Sequence, residues 1–529
     1  MRKLRIAICL TALLAIAAST QAEDFTLTGY DLLDVMSDYG YGYLYDFSTA
    51  NVLTEGHINN AYLNDEAVLN ISGGAVGNSS GDAIFAYNSS TVNAYNGYVL
   101  GVSYAYDDST VNISNANVNK FYTYDNTTTN ISGGHATVDA YNNSTVNVSG
   151  SRMMVGLRAY NNSTVNISGS ADGGVSVYDS GTVNVFSGGV RNIYANNTST
   201  ANVLNDGNIG EAYVYDEAVL NISGGIVERL STYNNSITNV SDGTIGNYSF
   251  FTYNTYDTST TNISGGTVEC LSTHNDSTAN ISGGIIGRSP RRLLEARDSS
   301  TINVSGGIVN STTTAFNSST INVSGGSLAI IAATDSSTVN VSGGNISNRL
   351  SASNSTINIS GGSMTMINTL GSTVNISGGE IFNSSNSCLE AYKSTVNISG
   401  GNMLGLSADN RSTANISGGS IGSLKASFSS IVIISGGSVY EGIQAYIRGI
   451  VIFDGYDFIL GQGLSWDIDG QTILGTGTLS GKWFNDTSFI IPIIINDTAT
   501  AATIMAIPEP ATVVFLTLAS FAIIRKRKA

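Results

Sequence analysis

The side chains that could carry acid–base or metal chemistry are few and widely spread. The sequence contains three histidines, His57, His135 and His274, and its acidic residues recur mostly once per repeat. Sugar cleavage requires paired carboxylates, or a carboxylate with a bound metal and a base. Asp107 and Asp108 are adjacent, but neighbouring residues of a strand point to opposite faces. The sequence therefore predicts no catalytic residue, no cofactor and no metal site.

A column of tyrosines is the most regular feature that could hold a ligand. Tyrosine recurs six residues before an Asn of the repeat, at Tyr45, Tyr87, Tyr106, Tyr124, Tyr141, Tyr160, Tyr178, Tyr215, Tyr233 and Tyr256. An apolar ring with a polar hydroxyl suits sugar binding, but an aromatic column can also pack a corner without any ligand. Both interpretations stay open. The candidate glycan-binding residues are Tyr141, Tyr160, Tyr178, Tyr215 and Tyr233.

One basic cluster stands out in an acidic chain, whose formal net charge is −17. Arg288, Arg291 and Arg292 lie around Pro290, and Arg297 follows shortly after. Arginine is well suited to binding anions, so the first three form a candidate anion-binding loop, with a solvated loop as the alternative. The acidic balance argues against binding nucleic acid.

The elements that must position these residues follow from an internal repeat. Its Asn, here called the anchor, recurs at steps of 17 to 23 residues, at positions 51, 70, 93, 112, 130, 147, 166, 184, 202, 221, 239, 262, 280, 303, 322, 340, 358, 375, 397 and 415. A period of this length is typical of a solenoid, in which each unit buries its apolar side by stacking on the next.

The repeat unit has the alternation of a β-strand. In Thr395-Val396-Asn397-Ile398-Ser399 the apolar residues face one side and the polar residues the other. Gly-Gly then ends the strand, and Asp or Asn after the tyrosine column is expected to close a turn by bonding the backbone two residues on. The fold class is all-β, a parallel β-helix of about 21 coils. The polar face is expected to be simply solvated, so that replacing Asn375 by Ser costs little.

The N-terminus has the pattern of an export signal. Basic residues are followed by a short apolar run, and the small residue Ala22 precedes Glu23 at the expected cleavage site. Cys270 and Cys388 lie several coils apart, too far for a disulfide.

The C-terminus resembles the PEP-CTERM sorting signal of bacterial surface proteins. The three parts of that signal are present in order: Pro508, Glu509 and Pro510; an apolar stretch over 511–524; and Arg525, Lys526, Arg527 and Lys528. The resemblance implies a Gram-negative-type bacterium that makes exopolysaccharide, an exosortase as processing partner, transient anchoring in the inner membrane by a short apolar helix, and delivery to the cell surface.

The domain organisation predicted from these features has five parts. They are a signal peptide at 1–22, an N-terminal cap at 23–45, the β-helix repeats at 46–455, a C-terminal β cap and linker at 456–507, and the sorting signal at 508–529. The caps are expected because the end coils of a solenoid would otherwise expose a sheet edge.

The leading functional hypothesis is a non-enzymatic surface protein of structural or adhesin-like type. It presents the Thr-Asn-Ser and tyrosine columns to exopolysaccharide or a cell-surface glycan in a biofilm matrix, and its architecture is similar to that of bacterial β-helix adhesins. Two alternatives remain. One is a polysaccharide lyase or glycosidase, since such enzymes often use a β-helix, and the other is an ice-binding solenoid, since regular Thr columns can match a lattice.

Overall fold

A computed structural model describes residues 22–150, 154–246, 253–288, 293–382, 388–468, 470–494 and 502–507. By its internal contacts the chain divides into two units, Met1–Ala212 and Tyr213–Ala529. The described residues form strands and turns without a helix, and in each unit they trace stacked coils of a parallel β-solenoid, about 22 coils in all. The predicted fold class is confirmed. The signal peptide, the sorting signal and the C-terminal apolar helix lie outside the described residues, except for Ala22.

The strands are short and follow one another with few residues between them. In chain order up to the boundary between the units they are β1 Glu23–Leu27, β2 Leu32–Val35, β3 Asp38–Leu44, β4 Thr49–Leu53, β5 His57–Leu63, β6 Val68–Ser72, β7 Ala75–Val76, β8 Asp82–Ala86, β9 Thr91–Tyr95, β10 Tyr98–Ala105, β11 Thr110–Ser114, β12 Ala116–Thr123, β13 Thr128–Ile131, β14 Gly134–Ala140, β15 Thr145–Val148, β16 Met154–Ala159, β17 Thr164–Ile167, β18 Val175–Val177, β19 Thr182–Ala195 and β20 Thr200–Val214. The next are β21 Val219–Thr232, β22 Ile237–Ile245, β23 Tyr253–Thr255, β24 Thr260–Ile263, β25 Thr267–Val268, β26 Leu271–Thr273, β27 Thr278–Ile281, β28 Ile285–Ile286, β29 Leu293–Ala296, β30 Thr301–Val304, β31 Ile308–Ala315, β32 Thr320–Val323, β33 Ser327–Thr334, β34 Thr338–Val341, β35 Asn345–Ser353 and β36 Thr356–Ile359. The last are β37 Ser363–Met364, β38 Ile367–Leu370, β39 Thr373–Ile376, β40 Glu380–Ile381, β41 Leu389–Tyr392, β42 Thr395–Ile398, β43 Asn402–Asp409, β44 Thr413–Ala426, β45 Ile431–Ala445, β46 Ile450–Asp454, β47 Tyr456–Leu460, β48 Leu464–Trp466, β49 Ile473–Lys482, β50 Ser488–Ile494 and β51 Thr503–Ile507.

The strands that carry the anchor pair in parallel and in register from coil to coil. Asn375 pairs with Asn358 on one side and Asn397 on the other, so equivalent residues stack in columns. The flanking apolar residues point inward, and Val374 and Ile376 are 0% and 1% exposed. The inward and outward faces predicted from the alternation are therefore confirmed. Cys270 and Cys388 are both buried, and no disulfide joins them.

The Gly-Gly corner exists because successive coils leave no room there for a Cβ atom. A Cβ on Gly361 would lie 2.4 Å from the carbonyl oxygen of Ser342 in the preceding coil. Gly362 has φ of +82°, in the left-handed region that favours glycine, and its Cβ would lie 2.8 Å from the oxygen of Gly343. Any larger residue at either position would have to push the coils apart.

The Asp or Asn residue after the tyrosine column closes the turn, but not by the contact predicted from the sequence. These residues have φ between +53° and +59°, a left-handed conformation that Asn and Asp tolerate. Their side chains reach the preceding coil rather than the backbone two residues on. The backbone N–H of Asn88 donates to Asp107 at 2.9 Å, and that of Asn234 donates to Asp257 at 2.9 Å.

The segment at 23–45 is itself a coil. β1 pairs with β3 and β2 pairs with β4, all in parallel, and Asp34 pairs with Asn51. Asp34 therefore occupies the anchor position in a segment for which the sequence predicts a cap and not a coil of the repeat. The coil series begins before residue 46, because an Asp can replace the anchor Asn at the first coil.

The region after the last repeat forms an antiparallel sheet that rejoins the solenoid. β49 pairs antiparallel with β47 and β50, and β50 and β51 add in parallel to β45 and β46. Trp483 is 2% exposed, its indole N–H donates to the carbonyl of Gly437 at 3.2 Å, and its ring stacks on Phe489. The apolar positions Ile433, Ile452 and Met505 align in one column after Asn415.

Candidate functional site

The anchor asparagines form a hydrogen-bonded ladder in each unit. In each step the side-chain Nδ2 donates to Oδ1 of the preceding anchor at 2.8 to 3.0 Å, as in the donation from Asn397 to Asn375 and from Asn375 to Asn358. The described steps run from Asn51 to Asn202 in the first unit and from Asn221 to Asn415 in the second. The first acceptor is Asp34, whose carboxylate accepts from Asn51 at 2.8 Å. The polar face is thus internally bonded as well as solvated.

This asparagine ladder leaves half of its hydrogen-bonding capacity unused. An amide carries two N–H donors and two acceptor lone pairs, and each ladder step uses one of each. The remaining donor and acceptor recur at the spacing of neighbouring strands, about 4.8 Å. The ladder therefore presents a regular series of neutral donor–acceptor pairs.

A groove of about 680 Å³ follows the ladder over five coils of the second unit. Its lining consists of the anchors from Asn340 to Asn415 and the adjacent Val, Ile and Ser residues, and it includes no charged side chain. The Ser hydroxyls are partly occupied, since Ser377 donates to the carbonyl of Ile359 at 3.4 Å and Ser399 donates to that of Ile376 at 3.4 Å. This surface, the asparagine groove, suits an extended, neutral, hydrogen-bonding ligand.

The predicted tyrosine column is a stack of rings whose faces cover one another. Tyr141 lies between Tyr124 and Tyr160, with ring centroids 5.0 and 4.6 Å away. Tyr160 also stacks on Tyr178 at 5.0 Å, and the same arrangement places Tyr233 between Tyr215 and Tyr256. A sugar cannot lie on a ring face that another ring covers. Glycan binding by these candidates stays a prediction, restricted for the enclosed rings to their edges and hydroxyls.

A second aromatic column lies two residues before the first. It was not predicted from the sequence. Tyr43, Tyr62, Phe85, Tyr104 and Tyr122 each precede an anchor by eight residues, and their rings stack at 4.9 to 5.6 Å. The regular spacing was the signal that could have revealed it. Two columns together cover one side of these coils with aromatic rings.

The continuous stack of the second column ends at a buried carboxylate, and tyrosine returns at the same position of later coils, at Tyr194 and Tyr213. Asp139 follows Tyr122 in register, and its side chain is 3% exposed. Lys120 approaches it at 2.8 Å and Arg158 at 3.4 Å, which offsets the cost of burying the charge. Burial, with Asp139 as the next cause, raises the pKa of Tyr141 to about 12. This cluster joins three coils and has the character of a structural ion pair.

The predicted anion-binding loop has less free charge than its sequence indicates. Arg288 pairs with the buried Glu269 at 3.1 Å, while Arg291 and Arg292 lie outside the described residues. Arg297 pairs with the buried Glu295 at 2.8 Å. Two of the four arginines therefore already neutralise carboxylates, and anion binding by this loop stays a prediction.

Two polar grooves of the second unit contain charged side chains. One, of about 600 Å³, is lined by Glu390, Tyr392, Asp409 and Lys425 among others. The other, of about 540 Å³, is lined by residues of four successive coils, including His274 and Glu295. These residues are not close in the sequence, where equivalent positions lie 17 to 23 residues apart, and they come together only through the register between coils.

Within the described ranges, no cluster of three or more His, Cys, Asp or Glu side chains could hold a metal ion. No helix long and apolar enough to cross a membrane occurs in the part of the chain that the structure describes. That the protein is not an enzyme stays a prediction.

The fold and these columns define the class of the molecule as a parallel β-solenoid with repetitive polar and aromatic surfaces. Comparison with known proteins adds no relative to that class. No protein-family model matches the chain, and neither a curated protein nor a solved structure matches it.

Proposed function

We propose that this protein is a non-enzymatic, adhesin-like surface protein whose asparagine groove holds an extended neutral exopolysaccharide. The observation that supports this proposal is the asparagine ladder with its uncharged groove of about 680 Å³. A polysaccharide presents hydroxyl groups that both donate and accept, and each sugar unit of an extended chain has about the length of one strand spacing. Successive units therefore meet equivalent amides, and many weak contacts add along the chain.

Export and sorting form a second part of the proposal. The expected cleavage between Ala22 and Glu23, and the tail from Pro508 to Lys528, support delivery to the cell surface by an exosortase. Replacing Glu509 by Ala should block processing and leave the protein in the inner membrane. Surface material that still carries the tail to Ala529, measured by mass spectrometry, would refute sorting without affecting the proposed binding.

The binding proposal is tested by length dependence. Affinity of the whole protein for neutral β-1,4-linked glucan oligomers should rise steadily from the disaccharide to the hexasaccharide, since each added unit meets another coil. A uronic-acid oligomer of the same length should bind more weakly, because the groove offers no cation and the chain is acidic. Equal affinity for all lengths, or preference for the acidic oligomer, would contradict the proposal.

A matched pair of variants locates the site. Replacing Asn340, Asn358 and Asn375 together by Ser removes the amides and should weaken hexasaccharide binding by about tenfold or more. Replacing Thr338, Thr356 and Thr373 by Val changes the neighbouring column to a residue that already occurs there at Val68 and Val219. That control should bind as the original protein does. Loss of binding in the Thr variant alone would move the site away from the ladder.

A further inference from the structure

The first aromatic column of the second unit changes character at one place. Tyr215, Tyr233 and Tyr256 are followed in the column by His274 and then by Arg297. The His274 ring stacks on Tyr256 at 4.8 Å, and the Arg297 guanidinium lies 4.5 Å from the Phe316 ring centroid. An imidazole and a guanidinium thus take the places that phenol rings occupy in the preceding coils.

A groove of about 540 Å³ lies at this change, here called the His274 groove. Its lining residues are Asn254, Tyr256, Ser272, His274, Glu295, Arg297, Asp298 and Asn317. They come from β23, β26 and β29 and from the turns that follow these strands and β31. None of them lines the asparagine groove.

Glu295 is the best-fixed side chain of this groove. The residue is 5% exposed, and its Oε2 accepts from Arg297 Nε at 3.0 Å and Nη2 at 2.8 Å, and from the Ser272 hydroxyl at 3.4 Å. All three bonds converge on one oxygen. Oε1 takes no part in them, so it keeps its capacity to accept a hydrogen bond.

His274 contributes a neutral imidazole. Burial, and then the positive charge of Arg297, lower its pKa from the ordinary value, while Asp298 and Glu295 oppose this shift. A neutral imidazole has one donor and one acceptor nitrogen. Its backbone N–H is occupied by Ser277, but among the described residues no hydrogen bond involves its ring nitrogens.

The groove has no unpaired positive charge, and its net charge is −1, that of Asp298. Arg297 is paired with Glu295, and Asp298 accepts from the backbone N–H of Asn275 and the side chain of Asn317. An anion therefore finds no uncompensated positive charge here, and both Asp298 oxygens already accept a hydrogen bond from a neutral group. What remains is a set of planar side chains with fixed donors and acceptors, a geometry that fits the adjacent hydroxyl groups of a sugar ring.

We infer that the His274 groove is a second, local binding site for one or a few units of a neutral sugar. The Glu295 carboxylate accepts a hydrogen bond from one hydroxyl of the sugar ring. The His274 imidazole donates a hydrogen bond to the adjacent hydroxyl or accepts one from it. It differs from the asparagine groove because it is a single built site rather than a repeated one, so it recognises a particular unit or end of a glycan. The inference goes beyond the proposed function and does not depend on it.

The test uses the whole protein and three neutral trisaccharides, the β-1,4-linked glucose, mannose and galactose trimers, with trigalacturonate as the charged comparison. Isothermal titration should detect at least one neutral trimer with one site per chain. His274→Phe keeps the stack on Tyr256 and removes both ring nitrogens, and it should weaken this binding at least tenfold. His135→Phe makes the same change at an exposed position of the first unit, so it is the matched control and should bind normally.

Three outcomes would overturn the inference: no neutral trimer binds, trigalacturonate binds better than the neutral trimers, or His274→Phe binds as well as the original protein. The triple Ser variant of Asn340, Asn358 and Asn375 separates the two sites, since it should keep trimer binding and weaken hexasaccharide binding. Should His274→Phe fail to fold, histidine side-chain NMR of the unaltered protein decides. The trimer should shift the His274 resonances and leave His57 and His135 unmoved, and an unmoved His274 would refute the site.

Discussion

The two units use the same coil to build different surfaces. In residues 22–212, the position eight before the anchor carries stacked rings from Tyr43 to Tyr122. In residues 213–507, this position carries one further aromatic residue, Tyr213, and then Ser231, Asn254, Ser272 and Glu295. The inward Val and Ile residues and the asparagine ladder are common to both. The core that specifies the fold is therefore independent of the outer columns, which are free to differ.

This difference shows where binding chemistry is to be sought. Where rings stack on rings, their faces are used for packing, and a ligand meets edges and hydroxyls. Where the stack changes at His274, polar groups with unused hydrogen-bonding capacity line a groove. The regular tyrosine column is the more conspicuous feature in the sequence, and the interruption of that column is the better candidate site.

The largest expected effect comes from breaking what the two units share. Replacing Ile376 by Asp, or the equivalent Val148 by Asp, places an unpaired charge in the core, since both residues are 1% exposed. Each change should cost at least about 3 kcal/mol of unfolding free energy. Urea unfolding measures this cost. A clearly smaller cost in one unit would mean that the core of that unit tolerates water, and that the cores of the two units are not equivalent.

A smaller loss is expected from cutting the asparagine ladder. Asn375 donates to Asn358 and accepts from Asn397, both at 2.8 Å, and Ser is too short to do both. Asn375→Ser should therefore cost about 1 to 2 kcal/mol rather than the small amount that the sequence predicts. Thr373→Ser, in the next column, is the control and should stay within about 0.5 kcal/mol of the original protein. Equal urea midpoints for the two variants would show that the ladder adds no stability.

The contrast between these two predictions shows what the sequence could and could not supply. The alternation of Val374, Asn375 and Ile376 was enough to predict strand, face and stacking, because burial follows a period of two. It could not show that Asn375 bonds to its equivalents, which requires the register between coils. The same limit hid the contacts of Asp139 with Lys120 and Arg158. Asp34 was missed because an Asp replaces the anchor Asn.

A third prediction concerns alkaline pH and the aromatic columns. Burial raises the pKa of Tyr106, Tyr124 and Tyr160 above 10, and that of Tyr141 to about 12. An unfolded tyrosine ionises near pH 10, so the unfolded chain loses its proton first. The stability that these groups contribute is complete below pH 10 and is lost as the pH rises from 10 through about 12.

The measurement is the urea midpoint at neutral pH and at about pH 10.5. Replacing Tyr141 and Tyr160 by Phe keeps the stack and removes two ionising groups, so the alkaline loss of stability should shrink. Tyr440→Phe is the control at an exposed position, 51% accessible, and should leave the loss unchanged. An undiminished loss in the double variant would mean that other groups cause the alkaline sensitivity.

The smallest expected effect lies at the interruption of the column, and its pH dependence has the opposite sign. Burial and Arg297 lower the pKa of His274, with Tyr256 stacked on its ring and Glu295 and Asp298 as the nearby acids. Because the unfolded histidine takes up its proton first, at about pH 6.5, the folded state loses stability as the pH falls below that value.

His274→Phe cannot take up this proton, so its stability should fall less between pH 7.5 and pH 5.5 than that of the original protein. Carboxylates contribute equally to both proteins and cancel in the difference, while His135→Gln, at an exposed position, should leave the pH dependence unchanged. If the urea midpoints of the His274 variant and the original protein fall in parallel, His274 is as solvated as an unfolded histidine. The groove would then lack the partly buried, neutral imidazole on which its sugar binding rests.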